Sequence, residues 1–192
     1  MADVLFYTAL ILTIVTILIK VIFSNRLYKN FQQDKENYLI LGASALFFFL
    51  AMSRGLMLYF DFFLTEFNPD LYQEYILYWK LSNVLTWIGF LCLIIVLEKA
   101  IFKGKSRYLI SVIYVAFIII SLSAEEFSLA QLLAAIPTAI GIIFIPVSYM
   151  YFAKYGHVRK KALMISLGYV IFFLGYLLLA EAIMSSLISV SG

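Results

Sequence analysis

The chain has 192 residues, of which 65% are hydrophobic and 13% are charged, and its formal net charge is +3 at pH 7. Soluble domains have about 45–50% apolar and about 25% charged residues, and a chain this short cannot bury such an excess in one core. The composition therefore predicts a multi-pass protein of the cell membrane, with the lipid bilayer as its solvent. A single cysteine, Cys92, and a single histidine, His157, exclude disulfide frameworks and multi-Cys/His zinc sites, so no metal or cofactor is expected.

Long apolar runs predict six transmembrane helices, since a span needs about 20 mostly apolar residues. They cover residues 4–23, 38–63, 75–97, 108–123, 129–152 and 162–190. The runs do not alternate, which disfavours a porin-type barrel. The first run has no basic segment before it and no small-residue cleavage site after it, so we expect a retained helix. The predicted fold is an all-α bundle of six transmembrane helices forming one domain over residues 1–192.

The distribution of lysine and arginine predicts the orientation of this bundle. Twelve of the fourteen basic residues lie in or beside the loops that follow the first, third and fifth helices. The charged residues of the other two loops are all acidic. The positive-inside rule then puts the N-terminus outside the cell. Basic residues at the ends of spans anchor topology and contact anionic lipid, so no nucleic-acid binding is expected.

A few ionisable residues lie within the predicted spans, where they are costly and usually functional. Arg54 and Asp61 on the second helix, Lys80 on the third and Glu181 on the sixth fall in one outer layer of the membrane. We expect the two cations to pair with the two carboxylates. One interpretation is a pocket, open to the outside, in which the cations bind a small polar or anionic ligand. The other is a neutral ionic cluster that locks three helices, or simple snorkelling. The candidate site residues are Arg54, Lys80, Glu181, Asp61, Asn83 and Trp87.

The fifth helix contains Pro137, Gly141 and Pro146 within one apolar run, which predicts a kink. Broken helices border binding sites in many transporters, but prolines in membrane helices usually only bend them. Both interpretations stay open at this point.

Two further patterns concern helix contacts. Thr13, Thr16 and Lys20 form one stripe on the first helix. The threonine hydroxyls are expected to bond back to their own helix and Lys20 to snorkel inward, with a pore lining as the alternative. Gly168 and Gly175, seven residues apart on the sixth helix, predict close contact with a neighbouring helix.

The sequence contains no GxSxG, HExxH, P-loop or GxGxxG motif, so we expect no enzyme. His157 lies in a basic loop and is interpreted as a solvated residue. The expected function is that of a non-enzymatic sensor or ligand-binding module, signalling to a cytoplasmic partner or acting as a homo-oligomer. The alternatives are a small transporter or channel subunit, or a structural subunit of a membrane complex.

Five segments carry a family resemblance: LGASALFFFLAMSR (41–54), YWKL (78–81), VLEK (96–99), KYGHVRKKA (154–162) and LGY (167–169). Together they resemble the seven-helix membrane input domains at the N-terminus of some prokaryotic sensor kinases. The resemblance implies signal sensing, an outside N-terminus and transfer of the signal to a cytoplasmic output. The chain departs from that pattern because these 192 residues contain no seventh span and no kinase domain. It therefore stands alone, works with a partner or belongs to a longer chain.

Overall fold

A computed structural model describes residues 2–102, 108–154 and 159–178. The predicted all-α class is confirmed: the described residues form six α-helices joined by short connections. Helix α2 continues into a π-helical turn, Phe60–Leu64, and a short 3₁₀ turn, Pro69–Leu71, precedes α3. The helices are α1 (Ala2–Gln33), α2 (Tyr38–Tyr59), α3 (Ile76–Phe102), α4 (Leu109–Ser123), α5 (Phe127–Phe152) and α6 (Arg159–Leu178).

Four of these helices are long and apolar enough to cross a membrane: Phe6–Gln33, Tyr38–Leu64, Ile76–Ile101 and Phe127–Phe152. Helix α4 is apolar but has only 15 residues, a length of about 22 Å against the ~30 Å of a hydrocarbon core. The chain divides into two compact units, Met1–Gly141 and Ile142–Gly192. Helix α5 begins in the first unit and ends in the second.

In the first unit, α2 packs between α1 and α3, and hydroxyl groups join the helices. Ser24 of α1 and Ser44 of α2 each donate to the other's backbone carbonyl, at 2.9 and 2.8 Å. On the other side of α2, Ser53 Oγ lies 3.0 Å from Ser82 Oγ and 2.7 Å from Thr86 Oγ1 of α3. These bonds satisfy the hydroxyls where water is excluded, and they hold the register of the three helices.

The α3–α5 contact depends on Gly141. A Cβ added there would lie 2.7 Å from Cδ2 of the buried Phe90 ring. This glycine therefore permits a close approach of ring and backbone. The sequence pattern predicted only a kink at this position.

Helix α5 runs as one unbroken element through Pro137 and Pro146. Because Pro137 has no N–H, the carbonyl of Leu133 loses its intrahelical donor. Ser121 Oγ of α4 lies 2.9 Å from that carbonyl and donates to it, sharing its proton with Phe117 O of its own helix. A neighbouring helix thus satisfies the group that the proline exposes. The kink itself stays a prediction.

In the second unit, Ser166 Oγ donates to the carbonyl of Pro146 at 3.0 Å. Tyr169 stacks between Tyr149 and Phe173, with ring centroids 5.6 and 5.8 Å away. The predicted close contacts at Gly168 and Gly175 are absent from the described part of the chain, where a Cβ added at either position would meet no neighbouring helix within 4 Å. Aromatic stacking and one hydroxyl bond join α5 and α6 where glycine contacts were expected.

Candidate functional site

Lys80 is one of the two cations of the predicted cluster, and it binds the C-terminal end of α4. Its Nζ donates to the carbonyl of Leu122, at 3.1 Å, and to the carbonyl of Ala124. The last carbonyls of a helix have no intrahelical donor and carry the negative end of the helix dipole. Lys80 therefore neutralises the end of α4, and its ammonium is occupied by backbone.

Glu98 neutralises the opposite, N-terminal end of α4. Its side chain is only 1% exposed, and its two oxygens accept from the N–H groups of Ile110 and Ser111, both at 3.1 Å. The Ser111 hydroxyl adds a third bond of 2.7 Å. A carboxylate at a helix N-terminus satisfies orphan donors and opposes the positive end of the dipole.

Lys80 and Glu98 together form what we call the α4 clamp. They are eighteen residues apart on α3, which is five full turns, so they lie on one face about 27 Å apart. That distance matches a helix of about 22 Å with a charged side chain at each end. Sequence reasoning missed Glu98 because the third span was predicted to end at Leu97. The eighteen-residue spacing of opposite charges was the signal that could have found it.

Asn83 and Trp87, the uncharged members of the predicted site, also make contacts within the bundle. Asn83 Nδ2 donates to the carbonyl of Trp79 in its own helix, at 3.0 Å. Trp87 is 1% exposed, and its Nε1 donates to Thr138 Oγ1 of α5 at 3.1 Å. The Trp87 indole therefore joins α3 to α5 and is closed off from solvent.

Arg54 differs from the other candidates. Its side chain is half-buried, and within the described part of the chain its guanidinium has no hydrogen-bond acceptor and no carboxylate partner. Arginine carries five N–H donors and stays charged at any physiological pH. An isolated charge inside a membrane costs about 2.5–3.5 kcal/mol on insertion scales.

A second cation lies within electrostatic range of Arg54. Lys20 of α1 is 8% exposed, and it is near enough to Arg54 for the two like charges to repel. The expected snorkelling of Lys20 is therefore wrong, because Lys20 and Thr13 lie on a buried face of α1, whereas Thr16 of the predicted stripe is exposed. Thr16, by contrast, bonds back to the Leu12 carbonyl at 2.7 Å, as predicted.

The register of α1 against α2 adds a hydroxyl to this region. Ser24 faces Ser44 and Phe6 faces Phe62, so the helices run antiparallel and Arg54 lies opposite the turn of α1 that carries Thr13. Thr13 is buried, at 7% exposed. We call Arg54, Lys20 and Thr13 the α1–α2 cation site.

Of the two predicted carboxylates, only Asp61 lies within the described residues. Asp61 is buried in the π-helical turn that ends α2, about 10 Å along the helix from Arg54. Glu181 and His157 lie outside the described residues. The pairing of Glu181 with Arg54 therefore stays a prediction, whereas Lys80 is bonded to the end of α4.

Comparison with known proteins gives no relative for this chain: no family model matches it, and neither a curated protein nor a solved structure resembles it significantly.

Proposed function

We propose that the protein is a multi-pass membrane bundle with its N-terminus outside. The apolar surface supports embedding, because α1 alone exposes large side chains such as Ile11 (60%), Leu12 (61%) and Ile22 (63%) to its surroundings. A surface of this kind is unfavourable in water and matches lipid. The loops after α2 and α4 also lie together: Gln73 donates to Glu125 O and accepts from Phe127 N. This contact supports the placement of both acidic loops on the same face of the membrane.

Within this bundle, the proposed function is binding of a small anionic ligand at the α1–α2 cation site, as the input of a non-enzymatic sensor. The observation that carries the proposal is the half-buried guanidinium of Arg54, which has no acceptor among the described residues. A carboxylate or phosphate would supply bidentate acceptors to Arg54. It would also remove the repulsion between Arg54 and Lys20.

The position of Arg54 favours a mechanical response to binding. Its neighbour Ser53 bonds to Ser82 and Thr86 of α3. Helix α3 in turn holds both ends of α4 through the α4 clamp. A shift of α2 on binding would therefore bias α3 and α4 together as a rigid group. In the proposed orientation, the Glu98 end of the clamp lies on the cytoplasmic side, where a partner would detect the change.

The first test compares ligand-free stability. Arg54→Leu should leave the thermal midpoint of the purified protein unchanged or raise it, because the substitution removes a cation that has no acceptor among the described residues. If Arg54 instead belonged to an ionic cluster, removing it would leave a buried carboxylate alone and cost about 3–5 kcal/mol. Arg26→Leu, at an exposed position of α1, is the matched control and should change little.

The second test is a screen of small carboxylates, phosphates and sulfate for thermal stabilisation. A ligand present at 100 times its Kd should stabilise the wild type by about 2.7 kcal/mol. It should stabilise Arg26→Gln equally and Arg54→Gln much less. Equal shifts in all three proteins would refute the site. Flux of the stabilising anion across proteoliposomes would reassign the protein as a transporter.

A further inference from the structure

A second basic site lies at the α5–α6 turn, within the second unit and away from Arg54 in sequence. It is a cavity of about 340 Å³ lined by Met150, Ala153, Lys154, Arg159 and Leu163. This volume lies within the range of about 300–1,000 Å³ that is typical of small-molecule sites. Nothing in the proposed ligand-binding function uses these residues.

The lining combines two kinds of surface. Lys154 follows the end of α5 and Arg159 begins α6, so two exposed cations from the ends of consecutive helices face one cavity. Met150 and Leu163, which are 55% and 42% exposed, supply the apolar wall. No aspartate or glutamate is among the described residues that line it. Two cations beside an apolar wall complement an amphiphile with an anionic head.

We infer that this cavity binds one anionic phospholipid, with the phosphate between Lys154 and Arg159 and the acyl chain against Met150 and Leu163. The inference rests on the membrane embedding proposed above, but not on the Arg54 site. The apolar wall favours a lipid over a soluble phosphate, which would gain nothing from Met150 and Leu163. The first helical N–H groups of α6 add a positive dipole end beside Arg159.

The chain offers a matched control for the test. Lys160 and Lys161 are exposed, follow Arg159 directly and do not line the cavity. The double variant Lys154→Gln/Arg159→Gln therefore removes the same charge as Lys160→Gln/Lys161→Gln, within the same turn. Native mass spectrometry of the full chain would count phosphatidylglycerol and phosphatidylcholine retained from mixed micelles. Inorganic phosphate and glycerol 3-phosphate would serve as soluble competitors.

The wild type and the Lys160/Lys161 variant should retain one phosphatidylglycerol in preference to phosphatidylcholine. The Lys154/Arg159 variant should bind it roughly 30-fold more weakly, from the typical contribution of two basic residues near a membrane surface. Equal loss in both double variants, no preference for the anionic lipid, or full competition by soluble phosphate would overturn the inference.

The Arg54→Gln variant separates this inference from the ligand-binding proposal, because it should retain phosphatidylglycerol as the wild type does. Embedding is tested independently by alkaline carbonate washing of membranes, which releases peripheral proteins and leaves integral ones behind. Retention after washing without lipid preference would refute only the lipid site.

Discussion

The α4 clamp makes a quantitative prediction for Glu98. Replacing it by alanine removes three hydrogen bonds and leaves the N–H groups of Ile110 and Ser111 without an acceptor. A buried donor left unsatisfied costs about 1–3 kcal/mol, so two donors and the lost hydroxyl bond give about 3–5 kcal/mol. Glu98→Gln should cost less, about 2 kcal/mol, because its amide oxygen still accepts from one N–H.

The assay is denaturant unfolding of the purified protein in micelles, with hydrogen exchange read over residues 108–123. Glu98→Ala should lower the unfolding midpoint and speed exchange at the start of α4 before the rest of the bundle. Glu125→Ala is the control, since it removes an exposed carboxylate and should change stability by less than about 0.5 kcal/mol. Equal midpoints for the two alanine variants, with unchanged exchange in α4, would refute the clamp.

Two further predictions concern α5. Ser121→Ala should destabilise the protein by about 1 kcal/mol. This cost should shrink in a Pro137→Ala background, because an intrahelical N–H then donates to the carbonyl that the serine otherwise satisfies. A double-mutant cycle of unfolding measures both costs, and equal costs in the two backgrounds would contradict that account. Gly141→Ala should cost about 1–3 kcal/mol because its Cβ would overlap the Phe90 ring, whereas Gly55→Ala, which has open space, should be neutral or stabilising by up to about 1 kcal/mol. Thermal unfolding of the two glycine variants side by side would decide the second prediction, and a similar loss in both would contradict it.

The helices themselves could be predicted from the sequence because apolar runs and polar breaks report directly on them. The predicted spans at 38–63 and 129–152 overlap almost fully with α2 and α5. The end of α1 could not be predicted: its helix continues to Gln33, past the polar segment that begins at Ser24. A polar residue ends an apolar run, but it does not end a helix when, as at Ser24, another helix offers it hydrogen bonds.

The ionisable residues could be found from the sequence, but their partners could not. The position of a residue within an apolar run can be read from that run alone, and the sequence therefore placed Arg54 and Lys80 correctly in apolar helices. The acceptors of Lys80 are backbone carbonyls of α4, and a pattern of side-chain charges contains no signal for them. Burial of Lys20 depends on which face of α1 meets α2, and the weak amphipathicity of membrane helices conceals that face.

The most direct test of the account is the threading of the helices through the membrane, since the proposed depth of Arg54 and the proposed cytoplasmic position of Glu98 both follow from it. Single cysteines at Lys35, Asp70 and Glu125, introduced into a Cys92→Ala background, would be labelled in intact cells with a membrane-impermeant maleimide. The account predicts labelling at Asp70 and Glu125 but at Lys35 only after lysis. Labelling of Lys35 in intact cells, with Asp70 and Glu125 protected, would contradict it.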